Sequence, residues 1–489
     1  MTPQQWKITG VVTAALAIVI GSIVAIATSG GDDESIRTSG TTSSSSSTST
    51  LPTSTSTLPP STGPLVTVPT VTPGSTVVVP GSTTAPPTTA APTTAAPTTA
   101  APSTEATTTS TTEPEGSTDI GISPTEIHVA VIADDNATFD GMRAWMATVN
   151  RGGGLAGRKV RLDLRTTGSA EGYAAAVQAS CENDFAIVGS FSLFDAAAGD
   201  VGCGAIPDLP VEPVAPAHAV AENAFAVFPR EPAVEAVGPY KWLLANVDEC
   251  CSQFWVVPDL EPDRTRTLAT IDAAAAVGFE TAGTVDLGDN DPPEPTYDEI
   301  AEQVVDSGAT FVASGLDASS TLELRQAAID ATGVRAWFCD SSCYDPSLVA
   351  DDGASLDDEY VAIETAPFSD RLEVPGVRAY LRATRRADHD PTYEGLRAFS
   401  AGLLFEHAVE RIVDEHGENG LTRVHLLEAL GGIDAFTADG IVGPTNVAAG
   451  APTGCYVLLQ VRDGKLARVN PDAVGSLDCG PQNLQTIGD

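Results

Sequence analysis

Basic residues are scarce in this chain of 489 residues: 25 Lys and Arg stand against 65 Asp and Glu, a formal net charge of −40. Only four of the bases are lysine, at Lys7, Lys159, Lys241 and Lys465. Such a surface repels a phosphate backbone, which excludes a nucleic-acid partner held by electrostatics. The usual catalytic signatures are also missing. The sequence carries no G-x-S-x-G elbow, no Walker sequence and no H-E-x-x-H pair. Where a dinucleotide fold would place G-x-G-x-x-G after its first strand, it reads Ala133-Asp134-Asp135-Asn136-Ala137. Adjacent acids such as Asp134-Asp135 and Asp351-Asp352 arise freely among so many carboxylates, so the expectation is a binding protein with no enzymatic activity, no metal and no cofactor. Cysteine is absent before Cys181, which excludes a lipid-modified cysteine near the N-terminus.

What is present falls into three stretches. Ile8 to Ala27 runs without a charge, about the ~20 residues that cross a bilayer. Lys7 precedes the run and Asp32, Asp33 and Glu34 follow it, so the positive-inside rule leaves residues 1–7 in the cytoplasm and the bulk of the chain outside. Residues 8–28 are expected to be a transmembrane signal-anchor at the cell membrane. Ala25-Ile26-Ala27 also reads as a signal-peptidase site, and cleavage there would release the chain. Residues 29–118 are almost wholly Ser, Thr, Pro and Ala, too apolar-poor to build a core and biased toward extended polyproline II. At roughly 3.1 Å per residue, such a stalk reaches on the order of 250 Å.

From residue 119 onward, short β-rich runs alternate with amphipathic stretches, the pattern of parallel α/β sheets. Ile127 to Ile132 predicts a first strand. Met142, Trp145, Met146 and Val149 recur at three and four within a first helix around Phe139 to Val149. Further strand and helix units are predicted at Val160 to Leu164 with Ala170 to Glu182, Phe185 to Val188, Phe254 to Val257 with Arg264 to Val277, Thr284 to Leu287 with Tyr297 to Val305, and Thr310 to Ala313 with Thr321 to Ala331. These are too many strands for one comfortable sheet and suit two lobes. In doubly wound sheets solutes sit beyond the carboxyl ends of the strands. Attention therefore falls on Ser190, Ser192 and Phe194 after the third strand, Val214 and Ala215 in the next loop, and Asp317, Asp340 and Tyr344 later in the chain. Ser192 and Asp195 read equally well as helix caps. Any of these Asp residues is also a candidate cap. His218 reads as a surface histidine.

The stretches Gly121-Ile122-Ser123-Pro124-Thr125-Glu126-Ile127 and Val149-Asn150-Arg151-Gly152-Gly153-Gly154-Leu155-Ala156-Gly157-Arg158-Lys159 resemble the opening of the Leu/Ile/Val-binding family of type I periplasmic solute-binding proteins. Ala186-Ile187-Val188-Gly189-Ser190, Thr310-Phe311-Val312, Leu324-Arg325-Gln326-Ala327 and Thr437-Ala438-Asp439-Gly440 continue the resemblance in order. It implies an α/β protein of two lobes, each a doubly wound, mostly parallel sheet, joined by a three-crossing hinge. Lobe 1 would comprise about 119–238 and 366–440, and lobe 2 about 239–365 and 441–489. It also implies capture of a small-molecule solute, an amino acid or related amide or carboxylate, on behalf of an ABC permease. A membrane-tethered sensor or cell-surface interaction module on the same fold is the alternative. The family holds an amino-acid carboxylate with a serine and a threonine, where this chain has Leu193 and Pro216. An acid and an aromatic residue hold the ammonium group, for which Asp340, then Asp317, and Tyr344 are the matching choices.

Eight cysteines in an extracytoplasmic domain favour disulfides. Sequence proximity pairs Cys181 with Cys203, Cys339 with Cys343 and Cys455 with Cys479. Cys250 and Cys251 are left open between a vicinal bridge, free thiols and cross-pairing. Thiolate binding of zinc by these two with Cys339 and Cys343 lacks zinc-ribbon spacing. If the chain is fully oxidised, thiol titration of the denatured, unreduced protein finds no free sulfhydryl. Any stoichiometric thiol signal contradicts this.

Overall fold

A computed structural model of the chain describes residues 117–198, 206–259, 261–288, 293–349 and 356–488. The expected membrane segment and the expected stalk up to residue 116 lie outside these residues, and Thr118 at the stalk's end donates to the Leu421 carbonyl at 2.6 Å. Among the described residues no helix is long and apolar enough to cross a membrane.

The first part of the chain runs β1 (Glu126–Ile132), α1 (Asn136–Gly152), β2 (Lys159–Arg165), α2 (Ala170–Asn183), β3 (Ala186–Val188), β4 (Asp208–Leu209) and α3 (Pro216–Ala219). Its strands form a parallel sheet in the order β2-β1-β3-β4. After β5 (Val234–Ala236) and α4 (Gly238–Asn246), the chain builds β6 (Ser252–Pro258), α5 (Asp263–Val277), β7 (Glu280–Leu287), α6 (Tyr297–Ser307), β8 (Phe311–Ser314), α7 (Ala318–Ala327), β9 (Ala336–Cys339) and β10 (Glu359–Ile363). Helices α8 (Pro375–Ala387), α9 (Tyr393–His416) and α10 (Arg423–Leu430) follow, then β11 (Val457–Arg462), β12 (Lys465–Asn470) and β13 (Leu484–Thr486). The second sheet has the order β12-β11-β10-β9-β8-β6-β7, parallel from β10 to β7 with an antiparallel hairpin β11–β12 on its edge. β13 pairs antiparallel with β5.

The expected strands and helices between Ile127 and Ala331 are all present, most of them one to four residues longer. One helix shifts: Asp317 accepts the Ser320 amide and starts α7 at Ala318 rather than Thr321. A local cap sets that start, because it satisfies an amide that the first turn leaves without a partner.

The first core packs α1, α8, α9 and α10 on the first sheet, drawing on residues from Ile122 to Phe228 and from Ala366 to Val447. Trp145 and Phe405 meet edge to face there, with ring centroids 6.0 Å apart. The second sheet carries its own clusters, one centred on Tyr240, Trp255, Phe311 and Phe338. The chain leaves the first core after Phe228 and enters the second at Val237. It returns between Ile363 and Ala366, and passes over again between Val447 and Tyr456. Thr365 and Val442 bridge antiparallel beside the latter two passages. The architecture is therefore an α/β fold of two main sheets joined by three passages of chain, with β5 and β13 forming a third, two-stranded sheet.

Disulfides join Cys339 to Cys343, Cys455 to Cys479, and Cys250 to its neighbour Cys251 across a cis peptide bond. Cys181 is also disulfide-bonded, whereas Cys203 lies outside the described residues. The sulfurs of the zinc reading are thus held in bridges.

α1 and α9 cross at glycines: a Cβ on Gly141 would overlap the backbone of Gly395, and one on Gly402 would overlap the Trp145 ring. Overpacking of this kind costs about 1–3 kcal/mol. Gly141→Ala is expected to lower the unfolding free energy by that amount, seen as a lower urea midpoint at an unchanged m-value, and an unchanged midpoint would show that the helices separate freely.

Candidate functional site

The loops beyond the strand ends of the first sheet are bound to one another by side chains from within. Asp135 caps α1 through the Thr138 amide at 2.6 Å. Asp134 accepts the amides of Thr167 at 3.1 Å and Gly168 at 3.0 Å, and the Ser192 hydroxyl at 2.7 Å. Burial alone would raise its carboxyl, but these hydrogen bonds and that of the Thr167 hydroxyl outweigh it and lower the pKa. Ser192 in turn accepts the Phe194 amide at 3.1 Å. Ser190 is buried, and its hydroxyl oxygen accepts the Ile132 amide at 3.1 Å, tying the exit of β3 to β1. Of the candidates on this loop only Phe194 keeps substantial exposure, at 36%.

The amides of Val214 and Ala215 donate to the two carboxylate oxygens of Asp195, each at 2.7 Å. A solute carboxylate would have to displace Asp195 to reach them. Asp195 is fixed by His218, whose Nδ1 lies 2.7 Å from it and whose Nε2 lies 3.0 Å from Asp208. The expectation of a surface histidine is corrected here: His218 is 2% exposed. Two aspartates outbid water for both ring nitrogens, so the ring turns inward. Burial opposes its positive charge, but Asp208 and Asp195 prevail and raise it to about 9.

Asp317 is held as the α7 cap, with the Ser319 hydroxyl at 2.6 Å and the Ser320 amide at 2.9 Å. Asp340 is exposed and accepts the Ser342 amide at 2.8 Å, capping the short turn that carries Cys343. Tyr344 is buried. Its hydroxyl oxygen accepts the Phe368 amide at 2.7 Å, and its ring meets those of Phe368 and Tyr393. It thereby joins the second sheet's loops to helices of the first core.

Sequence reasoning missed the charged centre. Glu212, buried in the loop after β4, takes Arg230 Nε at 2.7 Å, an Arg266 nitrogen at 3.2 Å and the guanidinium of Arg397. Arg230 extends to Glu364 at 3.0 Å. Arg397 rises from the buried start of α9, with Phe228, Tyr393 and Phe191 ring centroids 4.6, 5.6 and 5.8 Å from its guanidinium carbon. Its Nε finds no hydrogen-bond partner among the described residues. Burial would raise the Glu212 carboxyl, but Arg230, Arg397 and Arg266 outweigh that and hold it well below the usual carboxylate range. Arg266 belongs to α5 of the second core and Glu212 to the first, so this ion pair spans the two halves. The available signal was Arg397 itself, a lone charge in the apolar run from Leu396 to Phe405. The arrangement is suited to binding: one cation is walled by three aromatic rings, and a closing contact lies beside it.

The His218 geometry fixes a pH response. An unfolded imidazole titrates near about 6.5, and the folded group is higher, at about 9. Its contribution is whole below about pH 6.5 and fades as pH rises through 9. In urea titrations, the stability gap between the parent and His218→Gln should be widest near pH 6 and shrink steadily toward pH 9. A gap independent of pH would mean that His218 is neutral in the fold.

A family model described as periplasmic binding protein matches residues 133–465. No curated protein matches the chain. Among solved structures, the substrate-binding protein of a fatty acid ABC transporter from Thermomonospora curvata is 15% identical at a TM-score of 0.56, covering 74% of this chain and 92% of that one. An ABC transporter substrate-binding protein from Sphaerobacter thermophilus is 17% identical at 0.57, covering 73% and 98%. One from Desulfitobacterium hafniense in complex with Leu is 16% identical at 0.52, covering 70% and 100%. At these identities the structures speak to the fold, and they share the two-sheet α/β architecture found here. With its family model spanning well over half of the sequence and its fold matched across nearly the whole length of these neighbours, the chain belongs to the periplasmic binding protein family.

Proposed function

We propose that this protein is an extracytoplasmic solute receptor. It captures a small organic solute between the loops of its two sheets and delivers it to an ABC permease, held at the membrane by its N-terminal segment and stalk. The observation that carries this reading is the ion pair between Glu212 and Arg266, which closes the loop after β4 of the first sheet onto α5 of the second. The named relatives bind leucine or belong to fatty acid transport, and both kinds of solute carry a carboxylate. In this chain the anchor for a carboxylate or amide oxygen is Arg397 among its aromatic rings, because Asp195 already holds the Val214 and Ala215 amides. Phe194 and Asp340, both exposed, are the sequence candidates left to add contacts.

One observation favours a second reading, a tethered sensor or interaction module. The amides that would meet an amino-acid carboxylate are closed by a carboxylate of the protein's own.

A ligand that binds only the native state raises its apparent stability. A thermal-shift screen of the full chain against amino acids, small amides, carboxylates and polyamines is expected to give a concentration-dependent rise with one class. Arg266→Gln removes an exposed partner and should cost at most about 1 kcal/mol of stability and weaken that solute by up to about fivefold, the same free energy lost from the closed state. No shift with any class, in protein shown to be folded, would remove solute capture and leave the sensor reading.

A further inference from the structure

On the face of the first sheet covered by α2, away from the solute loops, three side chains from separate segments converge. His128 of β1, Asp163 of β2 and Asp184 before β3 each present a ligand atom, and these atoms lie within 4.8 Å of one another. His128 Nδ1 is 3.2 Å from Asp163 Oδ2. The Asp184 side chain has no exposed surface, and its Oδ2 is held by Arg165. Its Oδ1 finds no hydrogen-bond partner among the described residues. A buried carboxylate oxygen without a donor costs free energy unless a proton or cation fills the place. The other ring nitrogen, His128 Nε2, lies 3.6 Å from Glu126 Oε2, where a carboxylate orients a ligating imidazole from the second shell of a metal centre. His128 and Asp163 border an open depression of about 820 Å³ whose rim includes Gly121 and Asn183, so an ion and its waters can enter.

We propose that His128, Asp163 and Asp184 form a binding site for a divalent transition-metal ion, with imidazole Nδ1 and two carboxylate oxygens as ligands and water in the positions facing the depression. The charges around it are compatible. Arg165 neutralises one oxygen of Asp184, and Arg161 pairs with Glu126 at 3.5 Å. Asp163 and the second oxygen of Asp184 are left to face the cation. One imidazole with two carboxylates matches zinc or manganese better than calcium, which takes oxygen ligands. Contraction from 4.8 Å to the spacing about a zinc ion, with bonds near ~2.0–2.2 Å, needs only small side-chain rotations, and His128 and Asp163 are partly exposed and able to make them.

The full chain, stripped with chelator, would be titrated with zinc chloride by calorimetry, with manganese and calcium in parallel. Saturable zinc binding is expected, weakened 10- to 100-fold by His128→Ala and by Asp163→Asn, with calcium bound more weakly than zinc. Both variants keep the Arg165–Asp184 pair, and circular dichroism verifies their fold. His416, His425 and Glu428 form a second group of nearby donors, so His425→Ala serves as the control and should retain the zinc isotherm. Absence of saturable zinc binding, unaltered affinity in both test variants, or loss confined to His425→Ala would each overturn the assignment.

Discussion

Three guanidinium groups converge on the one buried carboxylate of Glu212, and much of the architecture is arranged around that fact. An isolated carboxylate could not be buried there: the idealised cost of moving such an ion out of water is on the order of 20 kcal/mol. Arg397 is equally dependent, since it leaves an otherwise apolar stretch of α9. Each makes the other's burial tolerable, and Arg230 at 2.7 Å shares the Glu212 carboxylate. The contact therefore fixes the loop after β4 to α9. It also reaches the passages of chain between the halves, because Arg230 lies between Phe228 and Val237 and its partner Glu364 between Ile363 and Ala366. Buried ion pairs of this kind seldom add net stability over apolar packing. Their effect is geometric: they permit one arrangement of loop, helix and passage and penalise the rest.

The same logic operates a few residues away. Asp195, His218 and Asp208 form a buried chain of charge in which a cation sits between two anions. Fixing Asp195 in this way makes its carboxylate a permanent occupant of the Val214 and Ala215 amides. Leu193 and Pro216 already depart from the hydroxyl pattern of the resembled family, and the geometry explains why the chain tolerates them. With an internal carboxylate in place, hydroxyls that would support a solute carboxylate have nothing to support.

Local signals were legible in the sequence and remote ones were not. The strands and helices from Ile127 to Val188 could be read because each repeats its period within a dozen residues, and Asp317, a candidate cap, acts on an amide three positions away. β4 and β5 are two and three residues long, too short to show a period. α9 is buried on nearly every side from Tyr393 to Phe405, so its amphipathic stripe disappears. The candidate sites fail for a different reason. Glu212 and Arg397 are 185 positions apart, and His128 and Asp163 are 35 apart. Only the register that sets His128 beside Arg161 and Ala130 beside Asp163 brings the latter pair together. His218 reads as a surface residue because its neighbours Ala215, Pro216, Ala217 and Ala219 offer its ring no partner. Its burial follows from two aspartates, neither of them adjacent to it in sequence.

Scarcity of base then acquires a structural meaning. Several arginines are turned inward: Arg158 is fully buried against the carbonyls of Ser123, Ala156 and Glu418, Arg423 donates to those of Phe185 and Cys181, and Arg468 pairs with Asp370. The excess of acid over base leaves the exterior field negative, which raises the local concentration of cations near the surface. A divalent ion approaching His128 and Asp163 is drawn along that field. A carboxylate solute approaching Arg397 moves against it, so its recognition must come from the guanidinium and the aromatic walls at short range. Salt would screen the first process and assist the second, a contrast set by the excess of sixty-five acids over twenty-five bases.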